Sequence, residues 1–188
     1  VKDFIQLILH FRDDAILTAA PPIEKVAIFD EAQRAWTREQ LASFMKTKKG
    51  IFNFQQSEPA FLISIMDRHP DWAVIICLVG GGQEINTGEA GLSEWFAALQ
   101  SGFPHWEVYA SSSLNDSEYL NGQQAADLVD TLHMDEDLHL AVSLRSFRSE
   151  KIAAFVKALL YLDVSNARTL LTAFLKVYPI VMTRDLDV

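Results

Sequence analysis

The chain has 188 residues, of which 16 are basic and 25 acidic, so its formal net charge is −9. With 49% apolar and 22% charged residues, it has the composition of a soluble globular protein with one full domain or one and a part. This composition excludes a collagen and a disordered tail, and the single cysteine, Cys77, excludes an internal disulfide and a cysteine metal cluster.

The first half of the chain is predicted to alternate between helices and strands. Apolar residues at helical spacing predict a helix in the first dozen residues, and an apolar run at 26–29 is typical of a buried parallel strand. Thr37 is placed to cap a helix that runs to about residue 46, and Ser57 to cap one that ends before Pro70. A second buried strand is predicted at 73–79.

The second half continues the same alternation. Helices are predicted at 92–99, at 123–132, after Ser149 and at 166–177, and strands at 106–110, 138–144 and 179–182. Strands that alternate with helices predict an α/β fold with a parallel sheet.

Charge is distributed unevenly between the two ends of the chain. Residues 1–140 carry 9 basic and 21 acidic groups, a net charge of −12, whereas residues 141–188 carry 7 and 4, a net charge of +3. This change of sign predicts a domain boundary near residue 141. The acidic first part is not expected to bind nucleic acid non-specifically as a whole, although a local basic groove remains compatible with it.

Two adjacent acids follow the first predicted strand. A buried strand that ends in Asp30-Glu31 brings both carboxylates to the carboxyl edge of the sheet, where α/β proteins bind ligands. Asp30 is suited to hold Mg²⁺ and Glu31 to orient or deprotonate a water. The alternative is that the two acids only begin a helix and complement its dipole.

Three glycines follow the second predicted strand, at residues 80–82, and Gln83 comes directly after them. Glycines let the backbone approach a ligand closely, and an amide there can contact a phosphate oxygen or a water. The alternative is a tight turn with polar decoration. A third cluster, Arg145 and Arg148 before a helix start, is either an anion site or a solvated basic turn.

Taken in order, the segments at 30–34, 81–91 and 144–149 resemble the Schlafen group 3-like DNA/RNA helicase domain, a family of P-loop NTPases related to superfamily 1 helicases. The resemblance extends from about Phe4 to the end of the chain. It implies a RecA-like fold, with residues 1–140 as the later part of a first lobe and residues 141–188 as the start of a second. It also implies Mg²⁺ and ATP as cofactors, and DNA or RNA as a partner of the complete protein.

The resemblance assigns a role to each candidate residue. Asp30 and Glu31 match the Walker B pair, Asp30 for the metal and Glu31 for water activation. Gln83 matches the glutamine that reads the γ-phosphate, and Arg148 matches the arginine finger. Three further residues are implied in contacts with the nucleotide, namely Gly82, Gln33 and Arg145.

The 188 residues contain no G-x-x-x-x-G-K-[ST] segment, which supplies the phosphate cradle in P-loop proteins. We therefore interpret the chain as an internal fragment of a cytoplasmic helicase-like ATPase that is inactive alone. The main alternative is a non-catalytic NTPase-like interaction module that has lost its P-loop. A flavodoxin-like small-ligand binder is a less favoured third hypothesis.

Overall fold

The computed structural model describes residues 5, 7–80, 89–115, 120, 127–140 and 150–174. The chain divides into two compact units, Val1–His139 and Leu140–Val188. Their assignment to two RecA-like lobes stays a prediction. Within the described ranges, no helix has the length and apolar character needed to cross a bilayer.

The first unit is a mixed α/β structure with short parallel strands. The elements in chain order are α1 (Ile8–Leu17), β1 (Val26–Phe29), α2 (Arg38–Phe44), α3 (Glu58–Met66), β2 (Val74–Cys77), α4 (Gly91–Gly102), β3 (Val108–Ser111) and β4 (Leu132–Asp135). Strand β1 pairs with β2, and β3 pairs with β4, both pairs in parallel. The predicted α/β class with parallel strands is confirmed at this level.

Local chemistry sets the starts of α2 and α3 as predicted. The Thr37 hydroxyl accepts a hydrogen bond from the Gln40 amide at 3.3 Å, and the Ser57 hydroxyl accepts one from the Ala60 amide at 3.4 Å. Both contacts satisfy amides that have no partner inside the helix. Pro59 occupies the first turn of α3, where its missing N–H costs nothing.

Two predictions for the region before residue 140 are wrong. Residues 127–132 are not an α-helix, and a strand lies at Leu132–Asp135, before the strand predicted at 138–144, of which only residues 138–140 are described. The start of the predicted strand is a 3₁₀ turn, Glu136–Leu138, followed by two residues in no regular structure. Pairing with β3 determines the observed strand, because local propensity is easily overridden by a partner strand.

The opening helix begins later than predicted, at Ile8. Residues 141–149 and the predicted strand at 179–182 lie outside the described residues. The predictions for them therefore remain as stated.

The core of the first unit surrounds α3. This helix is buried on nearly every side, and Leu62, Ile63, Ile65 and Met66 are at most 1% exposed. A helix without a polar face has no side suited to solvent, so other elements must pack around it on several sides. Phe29 of β1 and Trp95 of α4 belong to the same buried cluster, which brings the end of β1 into contact with the core.

A buried ion pair joins α1 to the start of α3. The Arg12 guanidinium donates from Nη1 to Oε1 of Glu58, and Arg12 and Glu58 are 0% and 3% exposed. The guanidinium also lies over the rings of Trp36 and Phe44, 4.7 and 5.1 Å from their centroids. Burial raises the pKa of Glu58, while the Arg12 charge and the Trp36 amide oppose that rise.

Glu58 also fixes the segment that follows the acid pair. Its Oε2 accepts a hydrogen bond from the Trp36 amide at 2.8 Å, and its own amide donates to the Trp36 carbonyl at 3.0 Å. One residue therefore ties together α1, α3 and the chain that leaves β1. No motif in the sequence predicts this role for Glu58.

The described part of the second unit contains two helices that pack against each other. Helix α5 (Glu150–Leu160) and helix α6 (Val164–Phe174) confirm the two helices predicted after Ser149. They bury a small cluster made by Phe155, Ala158 and Ala167.

Removal of the Glu58 carboxylate should destabilise the first unit strongly. Glu58→Ala leaves the buried Arg12 charge without its acceptor, and breaking a buried pair in this way costs about 3–5 kcal/mol. Urea denaturation followed by circular dichroism measures the change. The matched control is Asp71→Asn, which breaks the exposed Lys25–Asp71 pair and should have a far smaller effect because water screens that pair. Equal effects of the two substitutions would contradict this role for Glu58.

Candidate functional site

The acid pair lies where two parallel strands end side by side. Phe29, the last residue of β1, is paired in register with Cys77, the last residue of β2. Beyond the strands, the Leu78 amide donates to the Phe29 carbonyl at 2.9 Å and the Ala32 amide donates to the Leu78 carbonyl at 3.0 Å. Asp30 and Glu31 are therefore held at the sheet edge from which the glycine run leaves β2.

The two acidic side chains have different surroundings. Asp30 is exposed, and its Oδ1 accepts a hydrogen bond from the Glu31 amide at 3.0 Å. Glu31 adopts a left-handed backbone with φ 54°, which is uncommon for a residue with a β-carbon. Its Oε2 accepts a hydrogen bond from Gln33 Nε2 at 2.7 Å and lies 3.4 Å from Nε of Arg34.

Gln33 connects the acid pair to the glycine run. Gln33 is only 7% exposed. Its Nε2 donates a hydrogen bond to Glu31, and its Oε1 accepts one from the Gly80 amide at 3.4 Å. The described contacts of Gln33 are therefore with the two predicted motifs themselves. Its predicted contact with a nucleotide is not tested by this geometry.

The turn after Glu31 is anchored by a residue that the sequence analysis did not single out for this role. The indole Nε1 of Trp95 donates to the Ala32 carbonyl at 2.8 Å, and the Trp95 ring lies 5.9 Å from the Phe29 ring, centroid to centroid. The Ala90 amide, just before α4, donates to the Ala35 carbonyl at 2.7 Å. A buried tryptophan needs a hydrogen-bond acceptor for its N–H. A tryptophan at a predicted core position is therefore the sequence signal that could have indicated this anchor.

The donor set of the acid pair suits Mg²⁺. Carboxylate oxygens are the hard ligands that this ion prefers, and Mg²⁺ in nucleotide sites uses one or two carboxylates together with phosphates and waters. Among the described residues, no group of three or more His, Cys, Asp and Glu side chains could hold a metal by itself. Asp30 and Glu31 therefore fit a cation that arrives with phosphate ligands, rather than one held in an all-protein cage.

Four of the predicted site residues lie outside the described residues, namely Gly82, Gln83, Arg145 and Arg148. Their roles stay predictions. Burial raises the pKa of the Cys77 thiol, at the end of β2, to about 12, which disfavours the ionised form that acts as a nucleophile.

Comparison with known protein families identifies one family that the chain matches. The family model described as Schlafen group 3, DNA/RNA helicase domain, matches residues 1–188. No curated protein and no solved structure matches the chain.

The Trp95 anchor should contribute measurably to the stability of the turn. Trp95→Phe keeps an aromatic ring in the core but removes the indole donor from the Ala32 carbonyl, which then keeps only the Ala35 amide at 3.2 Å. Loss of one such hydrogen bond costs about 0.5–1.5 kcal/mol. The control is Trp72→Phe, because Trp72 is 54% exposed. Urea denaturation of the two variants measures the difference, and an unchanged midpoint for Trp95→Phe would show that the indole N–H does not hold the turn.

Proposed function

The chain belongs to the Schlafen group 3 DNA/RNA helicase domain family, and from this premise we propose that it forms part of a helicase-like ATPase that acts on DNA or RNA. The observation that carries the proposal is the position of Asp30-Glu31 at the sheet edge where the glycine run begins. Ligand sites of open parallel sheets lie at the carboxyl ends of their strands. In Mg-ATP hydrolysis, one acid at such an edge holds the metal ion and a second acid orients the attacking water.

In this proposal Asp30 holds Mg²⁺ and Glu31 accepts a proton from the attacking water. Bound Mg²⁺ would neutralise charge on the phosphates. The left-handed backbone and the Gln33 contact hold the Glu31 carboxylate by Oε2, and Oε1 has no partner among the described residues. A carboxylate fixed by one oxygen and open at the other is suited to a general base.

The remaining roles follow from the family. Gln83 reads the γ-phosphate, Arg148 acts as an arginine finger, and Gly82, Gln33 and Arg145 line the nucleotide. In this proposal residues 1–140 are the later part of a first RecA-like lobe and residues 141–188 are the start of a second. The charge change near residue 141 and the division of the chain after residue 139 support such a boundary.

The phosphate cradle is the part of the site for which these residues provide no candidate. Since no G-x-x-x-x-G-K-[ST] segment occurs among them, we propose that a P-loop from elsewhere in the complete protein joins this site. The same observation favours the second candidate, a non-catalytic NTPase-like interaction module. Hydrolysis of Mg-ATP by the complete protein separates the two candidates.

Glu31→Gln should abolish most hydrolysis in the complete protein and leave nucleotide binding nearly intact. An amide cannot accept the proton of the attacking water, and loss of a general base lowers the rate by about 10²–10⁴-fold. Phosphate release measures the rate and calorimetry with Mg-ATP measures affinity. The control is Glu39→Gln on the exposed side of α2, which should hydrolyse ATP normally. Normal turnover by Glu31→Gln would exclude Glu31 as the base.

Arg148→Ala should lower the rate of hydrolysis more than the affinity for nucleotide. Its guanidinium is proposed to stabilise charge that develops in the transition state, and loss of such a contact costs about 10²–10³-fold in rate. Arg148→Lys should also be impaired, because an ammonium lacks the planar fork of donors. Arg168→Ala on α6 is the control. Weak binding with normal turnover at saturation would assign Arg148 to ground-state binding instead.

A further inference from the structure

One exposed turn of the first unit has a charge opposite to that of the unit as a whole. Residues 1–140 carry 9 basic and 21 acidic groups, yet three of the nine basic residues lie in the five-residue π-helical turn Met45–Lys49. Residues 40–57 contain no acidic residue at all. We call residues 45–52 the basic turn.

Backbone hydrogen bonds and a buried methionine hold the basic turn in place. Met45 is 0% exposed, and its carbonyl accepts hydrogen bonds from the amides of Gly50 and Ile51. Gly50 closes the turn with φ 68°, a conformation that glycine adopts without strain. The turn therefore presents its lysines on a fixed backbone.

Two of the three lysines have uncompensated charges. Lys49 is paired with Asp13 of α1, with 2.6 Å between Nζ and Oδ2. Lys46 and Lys48 are exposed and make no ion pair or hydrogen bond with any described residue. Two unpaired ammonium groups on an otherwise acidic unit form a local site for an anionic partner.

An exposed aromatic ring follows the lysines directly. Phe52 is 67% exposed, whereas its neighbours Ile51 and Phe54 pack against the core, Phe54 with its ring 5.2 Å from that of Phe61, centroid to centroid. Asn53, with φ 63°, turns the chain between the outward Phe52 and the inward Phe54. The ring therefore projects from a segment whose other apolar residues are buried.

From this combination we propose that the basic turn contacts single-stranded nucleic acid, with Lys46 and Lys48 on successive phosphates and Phe52 stacked on a base. Lysines that follow the backbone, together with an aromatic ring that stacks on bases, are how proteins bind single strands without reading their sequence. The inference rests on the proposed function, and it adds which surface meets the strand. An acidic peptide would use the lysines, but it would not require an aromatic ring at position 52.

Fluorescence anisotropy with labelled oligothymidylate and oligouridylate, over a range of salt concentrations, tests the lysines. The double variant Lys46→Gln/Lys48→Gln should bind roughly tenfold more weakly at low salt, and its slope of log K against log salt should fall by about 0.7 per lysine removed. Lys46→Arg/Lys48→Arg should bind as the unaltered chain does. Lys25→Gln, which removes a lysine paired with Asp71, should also leave binding unchanged.

Substitution of Phe52 separates stacking from simple apolar contact. Phe52→Ala should weaken binding about 5-fold or more, Phe52→Tyr should restore it, and Phe52→Leu should be as weak as alanine, because leucine has no π-face. Full binding by Phe52→Leu would overturn the stacking role. Lys46, Lys48 and Phe52 are exposed, and circular dichroism checks that each variant is folded.

Three results would overturn the proposal: no binding by the unaltered chain, equal binding by the Lys46→Gln/Lys48→Gln variant, or equally tight, lysine-dependent binding of polyglutamate. Hydrolysis assays of Glu31→Gln judge the proposed function separately. Glu31-dependent hydrolysis with unaltered oligonucleotide binding by the lysine variants would reject only the basic turn. Lysine-dependent binding without any hydrolysis by the complete protein would reject only the ATPase.

Discussion

The buried pair between Arg12 and Glu58 is the constraint on which the first unit depends. Two charges removed from water stabilise each other best when further hydrogen bonds satisfy their remaining polar atoms. Glu58 is satisfied on both sides, because it binds Arg12 with one oxygen and the Trp36 amide with the other. Nε and Nη2 of Arg12 have no hydrogen-bond partner among the described residues, and the guanidinium lies over the Trp36 and Phe44 rings instead. Helix α1, the start of α3 and the chain that leaves β1 therefore cannot move independently of one another.

This constraint reaches the candidate site through a short stretch of backbone. Trp36 lies five residues after Glu31, and the turn between them is held a second time by the Trp95 indole at Ala32. A left-handed glutamate is retained only where its surroundings fix it, and these two anchors lie on either side of Gln33. The position of the Glu31 carboxylate thus depends on residues that have no chemical role in the proposed hydrolysis.

The distribution of charge is compatible with the family to which the chain belongs. A net charge of −9 opposes non-specific attraction to a polyanion, and it leaves recognition to a local surface. The basic turn is such a surface, because its lysines are grouped while the acids are distributed over the rest of the first unit. In the two proposals the acid pair would bind a cation and the basic turn a polyanion, at separate positions in the sequence of one unit.

The sequence by itself determined the features that depend on neighbouring residues. The caps Thr37 and Ser57, the strand at Val26–Phe29 and the acid pair at its end all follow from short-range patterns, and the structure confirms the caps and the position of the strand. The burial predicted for this strand is wrong, because Val26 and Ile28 are 46% and 61% exposed. Only the tertiary structure decided that Leu132–Asp135 is a strand, that Arg12 is buried against Glu58, and that Gln33 joins Glu31 to Gly80. Each of these needs a partner at least 24 residues away in the sequence. A periodicity or a capping motif contains no information about such a partner, because the free energy that selects it arises only when the distant segments pack together.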